Sequence, residues 1–429
     1  MSIEARAIRK LRIRILPSVL LLFVVALIDR NNIGFAALTM NKELAITSQQ
    51  FGLVFGVFYL GYFVFEIPSN LLLHKIGART WIARILVSWG LVATLTGFVR
   101  TTHQLYLVRF LLGLAEAGYF PGIILYLTYW FPRREQARAF ALFMMATPVT
   151  TIFGAPISGY ILDRIHWLGM SSWRWLLILE GAPGIILGLL TYFLLPSRPA
   201  AARFLTADEK GWIREELARE EQQKVGHGSD SILQGLASGR VWHLVFVYLG
   251  MMFGLHILSS WAPQLVKALS SLYSNSVIGL LLIMPSVIGL VAMILVSRSS
   301  DQMLERRYHV AIPAAVAGTA VLLLGTAPSP VLSMALLCLL AVGVYSYLGP
   351  FWALPNEFLT GYSAAAGIAL VNCVGNLGGF LGPATVGYFA HHTGRLFAGL
   401  AIAAVPVFAS AILVLLLPTK TVVLTKTDR

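Results

Sequence analysis

Asp29 and Arg30 are neighbours deep inside apolar sequence, and Arg109 and Glu116 lie seven apart in another apolar stretch, with Glu66 and Glu180 nearer the ends of theirs. A charge at mid-bilayer costs about 3 kcal/mol or more, so ionisable residues kept there are functional candidates. At about 1.5 Å per residue, Asp29 falls roughly 20 Å from the boundary at Leu16, while Arg109 and Glu116 fall roughly 6 and 16 Å from the opposite one. In a hydrocarbon core of about 30 Å the four share a common depth and can meet. Seven residues are two helical turns, so Arg109 and Glu116 face one cavity. Burial opposes ionisation of a carboxyl and a neighbouring guanidinium favours it, so opening and closing such a cavity can load and release a proton. Arg30 or Arg109 can hold a substrate carboxylate in bidentate fashion, which Lys does less well. Asp29 and Glu116 are thus the proton-coupling candidates, and an organic anion is the expected cargo.

Neutral polar residues supply the rest of a binding surface. Asn372 and Asn376 lie four apart on one helix face, and Tyr59, Tyr345, Tyr347 and Trp352 offer rings and hydroxyls. The bland alternatives are packing for the aromatics and interhelical bonding for the Asn pair. His256 reads as a packing or hydrogen-bonding residue. Gly154 with Pro156, and Gly375, Gly378, Gly379 and Gly382, permit close approach and bending. Cys338 and Cys373, the only cysteines, lie in apolar runs and read as packing residues. Paired acids could also serve an integral membrane enzyme, but no metal-ligand spacing or nucleophile motif accompanies them, so no metal or cofactor is expected.

These residues need elements to place them. Of 429 residues, 57% are hydrophobic and only 12% charged, against about 25% charged in a soluble domain. Twelve apolar stretches run between polar breaks, from Leu16–Leu38 to Leu396–Leu417, each roughly the 17 to 25 residues a spanning helix needs. With the amino terminus inside, 24 Lys and Arg fall at or near the inner ends and 6 in the outer loops. That bias sets both termini in the cytoplasm and accounts for a net charge of +13 without nucleic acid. The basic start and passable Val24-Val25-Ala26 site imitate a signal peptide, but the apolar run continues past them, so an uncleaved bacterial inner-membrane helix is expected.

The longest polar interval, 196–240, separates a six-span unit at 1–195 from another at 241–429. Thr206 and Glu209 form a capping box, and Glu215–Arg219 and Glu220–Lys224 are opposite charges four apart, so the interval holds a short surface helix. The halves also repeat. Pro156-Gly159-Tyr160 matches Pro383-Gly387-Tyr388, Tyr119 matches Tyr347 at an offset of 228, and His74-Lys75-Ile76-Gly77 matches Asp301 to Leu304 at 227. Two bundles related by an axis along the membrane normal are the arrangement of alternating-access transporters. Positions 228 beyond the four charges are Ile257, Leu258, Leu337 and Val344. A network that served only to brace a bundle would be needed in both halves, so the charges read as functional rather than structural.

The chain resembles the major facilitator superfamily, and within it the anion:cation symporter family, on the branch of tartrate, phthalate and hydroxyphenylacetate permeases. The residues carrying the resemblance are Asp29-Arg30-Asn31-Asn32-Ile33-Gly34, Glu66-Ile67-Pro68-Ser69-Asn70, Gly113 to Gly118, Tyr129-Trp130-Phe131-Pro132, Trp173-Arg174-Trp175, Phe351 to Pro355 and Asn372 to Pro383. The resemblance implies an all-α membrane protein with twelve helices in two pseudo-symmetric bundles, working as a monomer in proton-driven uptake of a carboxylate. Asp29 and Glu116 match the family's protonation positions, Arg30 its substrate-binding Arg and Arg109 the partner on the fourth helix. The gating loop keeps Lys75, Gly77 and Arg79 but carries His74 where the superfamily has Asp; Asp301 stands in the matching loop. Some sugar-acid members use a Gln on the fifth helix, where Thr147, Thr150 and Thr151 stand here, which favours a small dicarboxylate or aromatic carboxylate over a sugar acid. An exchanger or uniporter of the same fold is the alternative, and a sensor would bind without flux.

Overall fold

The computed structural model describes residues 2–132, 135–136, 139, 143–225, 236–324, 326, 329–355 and 361–417, with the side chains of 74, 221–225, 361–366 and 397 outside that set. Among them, twelve helical spans cross the molecule. In the first half these are Ile3–Glu43, Ser48–Ile76, Ala78–Thr96, Thr102–Glu116 continued by Tyr119–Thr128, a fifth ending in Ala146–Arg164, and Ser172–Leu194. The second half has Gly239–Leu269, Asn275–Leu281 continued by Ile283–Met303, Arg307–Leu324, Pro330–Ser346 continued by Leu348–Ala353, Gly361–Gly375 continued by Gly378–Thr393, and Leu396–Leu415. Such spans are helical because lipid offers backbone groups no partner and an α-helix satisfies them internally.

The packing repeats with the sequence. Span three lies on span six, two on four, one on six and one on five. Their counterparts nine on twelve, eight on ten, seven on twelve and seven on eleven are packed likewise. Gly77 and Leu304, the ends of the loops matched at offset 227, both take positive φ, 94° and 53°.

Two features depart from the apolar pattern. Span one is a single helix of 41 residues, about 60 Å at 1.5 Å per residue, so it outruns the bilayer. Its basic early turns are drawn onto the rest of the chain, Lys10 to Glu209 at 2.8 Å and Arg12 to Glu135. Span four breaks at Ala117 and Gly118 (φ 81°). A Cβ at Gly118 would lie 2.1 Å from Ser69 Oγ, and that hydroxyl donates to the Ala117 carbonyl at 2.6 Å while accepting from Trp81 Nε1 at 2.9 Å. Span ten breaks at Tyr347, the repeat partner of Tyr119, whose hydroxyl donates to the Met251 carbonyl at 2.5 Å.

The linker helix Ala207–Val225 docks on the first half. Thr206 and Glu209 make the expected capping box, at 2.9 and 3.4 Å. Ile213 and Ala202 are fully buried and Phe204 stacks on Trp130. Arg219 turns to Glu216 at 3.7 Å, and the Lys224 side chain is outside the described set. Glu209 shows why the dock holds. Burial works against its ionised form, but the Lys10 ammonium and the Thr206 N–H outweigh that and hold its carboxyl below the usual range.

Candidate functional site

Consecutive helical residues point about 100° apart, so Asp29 and Arg30 reach different neighbours. Asp29 turns to span three, where Trp89 Nε1 donates to one carboxylate oxygen, and Asn32 Nδ2 donates to the other at 3.1 Å. Arg30 turns to spans two and four. Its Nε donates to Glu116 Oε1 at 3.1 Å and its Nη2 to the same oxygen, while the guanidinium rests over Phe58 at 5.3 Å and Tyr62 at 5.6 Å. Arg109 approaches the same ring, 5.2 Å from Phe58, and donates from Nε to the Val54 carbonyl at 3.4 Å. Phe58 therefore has two cations within cation–π reach of its ring.

Close packing makes this possible. A Cβ at Gly113 would stand 2.0 Å from the Phe58 carbonyl, so span four lies directly on the backbone that carries the ring. Asp29, Arg109 and Glu116 are all buried, and Asp29 feels the charges of the other two. Glu116 Oε2 and Arg109 Nη2 have no hydrogen-bond partner among the described residues. The four residues read from the sequence thus form one group of two acids and two bases.

The second-half candidates reach the first half at Glu66 rather than at this group. Asn376 Nδ2 donates to Asn372 Oδ1 at 3.2 Å, and Asn372 Nδ2 donates to Glu66 Oε1 of span two at 2.7 Å. Tyr59 lies edge-on to His256 at 4.5 Å, with His256 Nδ1 on the Met252 carbonyl at 2.8 Å. Trp352 packs against Tyr248 at 5.0 Å. Tyr345 lines a separate cavity of ≈ 50 Å³ between the halves, with Asn31, Asn32, Thr150, Thr151 and Ser286. At about 10–15 Å³ per water centre this holds a few waters.

The gating-loop candidates stand apart from this group, at the ends of their helices. Lys75 and Gly77 are exposed, Arg79 rests over Tyr192 of its own half at 5.6 Å, and Asp301 pairs with Arg306 of its own half at 2.5 Å. The His74 side chain lies outside the described set. The reading of the sequence left out Phe58, Tyr62, Trp89 and Tyr248, which carry no signal among so many aromatics, and gave Glu66 no part in binding.

The halves are sealed at the face opposite the linker. Span one packs on seven, two on eleven and five on eight. Glycines bring these pairs to backbone contact: a Cβ at Gly387 would lie 2.4 Å from the Ser48 carbonyl, and one at Gly279 2.3 Å from the Ala155 carbonyl. Asp163 of the fifth span caps the eighth, accepting from Asn275 N at 3.1 Å and Ser276 N at 2.7 Å. At the linker face the ends of spans four and ten, Tyr119–Thr128 and Leu348–Ala353, share no extensive packing among the described residues.

Comparison with known proteins agrees with this architecture. The chain is 44% identical over 416 residues, 97% of this chain and 92% of the other, to an Agrobacterium vitis protein named "Putative tartrate transporter". It is 36% identical to a quinolone resistance transporter of Acinetobacter baumannii, over 93% of this chain and 92% of the other. The xylose transporter XylE from E. coli, in a partially occluded inward open conformation, shares the fold at a TM-score of 0.73 and 14% identity, covering 95% of this chain and 98% of that one. The model of the Major Facilitator Superfamily matches residues 19–383. With twelve spans, repeated packing and a charged group buried among spans one to four, the chain belongs to the Major Facilitator Superfamily and is a membrane transporter.

Proposed function

We propose that this transporter takes up a small organic anion together with protons, through a bacterial inner membrane, with both termini in the cytoplasm. It works as a monomer of two six-span units, 1–195 and 241–429, joined by 196–240. The observation that carries the reading is the Arg30–Glu116 pair, in which a buried carboxylate occupies the guanidinium that an anion would need. A proton on Glu116 cancels its charge and frees Arg30 for a substrate carboxylate, while Asp29, between Trp89 and Asn32, is the second proton site. Arg109, which also approaches Phe58, offsets the buried acids. Asn372, Asn376, Tyr59 and Trp352 face the anion from the seam and the second half, Tyr345 bounds the small cavity next to it, and His74, Lys75, Gly77, Arg79 and Asp301 govern closure at the linker face. The relative named for tartrate supports a small dicarboxylate.

Uptake of labelled tartrate and other carboxylates into vesicles, with and without an imposed pH gradient, tests the reading. Accumulation should require the gradient, and indifference to it would leave an exchanger or uniporter. Glu116→Gln should abolish gradient-driven accumulation and retain counterflow exchange; full accumulation by that variant would remove Glu116 from coupling.

A further inference from the structure

Glu66 is a carboxyl that the scheme above does not use. It is 2% exposed on span two and receives the Asn372 amide from span eleven at 2.7 Å, so one of its oxygens bonds across the two halves. Its other oxygen, Oε2, has no N–H or O–H partner among the described residues, and the Cys373 thiol, a weak donor, lies beside the carboxyl. The seam between these spans runs from Gly387 at Ser48, through Gly52 at Pro383 and Gly56 at Phe380, to Cys373 at the Phe63 carbonyl (4.0 Å) and then Glu66. An acid with one unmatched oxygen is a poor brace for such a seam, because apolar packing would hold it without desolvating a carboxyl. The groups around it are Arg30 from span one, Tyr62 on its own span, Tyr248 from span seven and Cys373 from span eleven. Arg30 is the only cation among these.

We propose that Glu66 is a further proton-binding residue of the transport cycle, and that its ionised form latches the two halves together by claiming the Asn372 amide. A hydrogen bond to an ionised acceptor is roughly twice as strong as one to a neutral acceptor. When Glu66 loses its proton the latch tightens and the seam stays sealed. When Oε2 takes up a proton the latch slackens, and the amide of Asn372, with Asn376 behind it, becomes available to the anion. The step moves one proton and breaks no covalent bond. This inference rests on the proton-coupled reading and adds to it a charge-sensitive contact between the halves.

The test needs no substrate. The purified full-length protein, reconstituted in lipid nanodiscs, is acidified across the neutral range while carboxyl bands are followed by infrared difference spectroscopy. Spin labels at Leu168 and Leu272, exposed loop residues of the two halves at the sealed face, report separation. In the wild type a carboxyl band should appear on acidification and the label distance should lengthen. Glu66→Gln should lose that band and its share of the lengthening. Asn372→Leu should move the band's midpoint to higher pH, because the ionised form has lost its donor, and should lengthen the distance at every pH. A Glu66→Gln spectrum and distance response identical to wild type would overturn the proposal. Should Glu66→Gln fail to fold, an unmoved midpoint in Asn372→Leu would do the same. Wild-type uptake indifferent to a pH gradient is a separate result, which defeats the coupled-transport reading whatever the infrared response.

Discussion

A lysine in place of Arg30 keeps the charge and loses the planar fork that lets one guanidinium grip Glu116 through Nε and Nη2. Losing one charge-assisted bond costs about 2 kcal/mol, so Arg30→Lys should raise KM for the transported anion roughly thirtyfold in vesicle uptake; an unchanged KM would rule out a bidentate contact. Glu209 gives a pH-dependent counterpart. Its carboxyl is held below the usual range in the folded protein, so the stabilisation is complete above about pH 4.3, the unfolded value, and lost as pH falls through the folded value. With Lys10 partly exposed, the pair contributes about 1 kcal/mol or less. Glu209→Gln should lower Tm slightly at neutral pH, and the difference should vanish in strong acid. Asp29, Arg30, Arg109 and Glu116 were legible in the sequence because a charge among apolar residues stands out. Phe58 and Trp89, which hold them in place, were not, since an aromatic among apolar residues looks like any other.

The broken span four illustrates how an element is shaped by one residue. Gly118 takes a left-handed conformation that costs an L-residue about 1–2 kcal/mol, with Ser69 where a Cβ would go. Gly118→Ala should therefore destabilise the protein by about 2 kcal/mol or more and abolish uptake, because the break lies two residues from Glu116. Gly211, mid-helix in the linker with open space around it, should behave oppositely, gaining about 0.5–1 kcal/mol as Ala. Thermal unfolding of the two variants checks both signs. Hydropathy located every span, but it averages over a window and so passes over a two-residue interruption whose freed carbonyl is satisfied by a serine two spans away. It also set the start of span one at Leu16, because the basic turns before it are held by Glu209 and Glu135, which no local pattern reveals.

At the scale of the molecule, the repeat at offsets of 227 and 228 anticipated the paired packing of the two halves and the positive φ shared by Gly77 and Leu304. What no comparison of the halves could disclose is the side the linker takes, since it has no repeat partner. Ile213, Phe204 and Glu209 tie Ala207–Val225 to the first half, through Trp130 and Lys10. Expressed as two polypeptides, the protein should therefore reassemble into a working carrier when the gene is divided between codons 225 and 236, and fail when it is divided near 198. Flux restored equally by both cuts would mean the helix is a passenger. Unequal rescue would make it the seventh helix of the first half, inherited with that half whenever the two are exchanged between carriers.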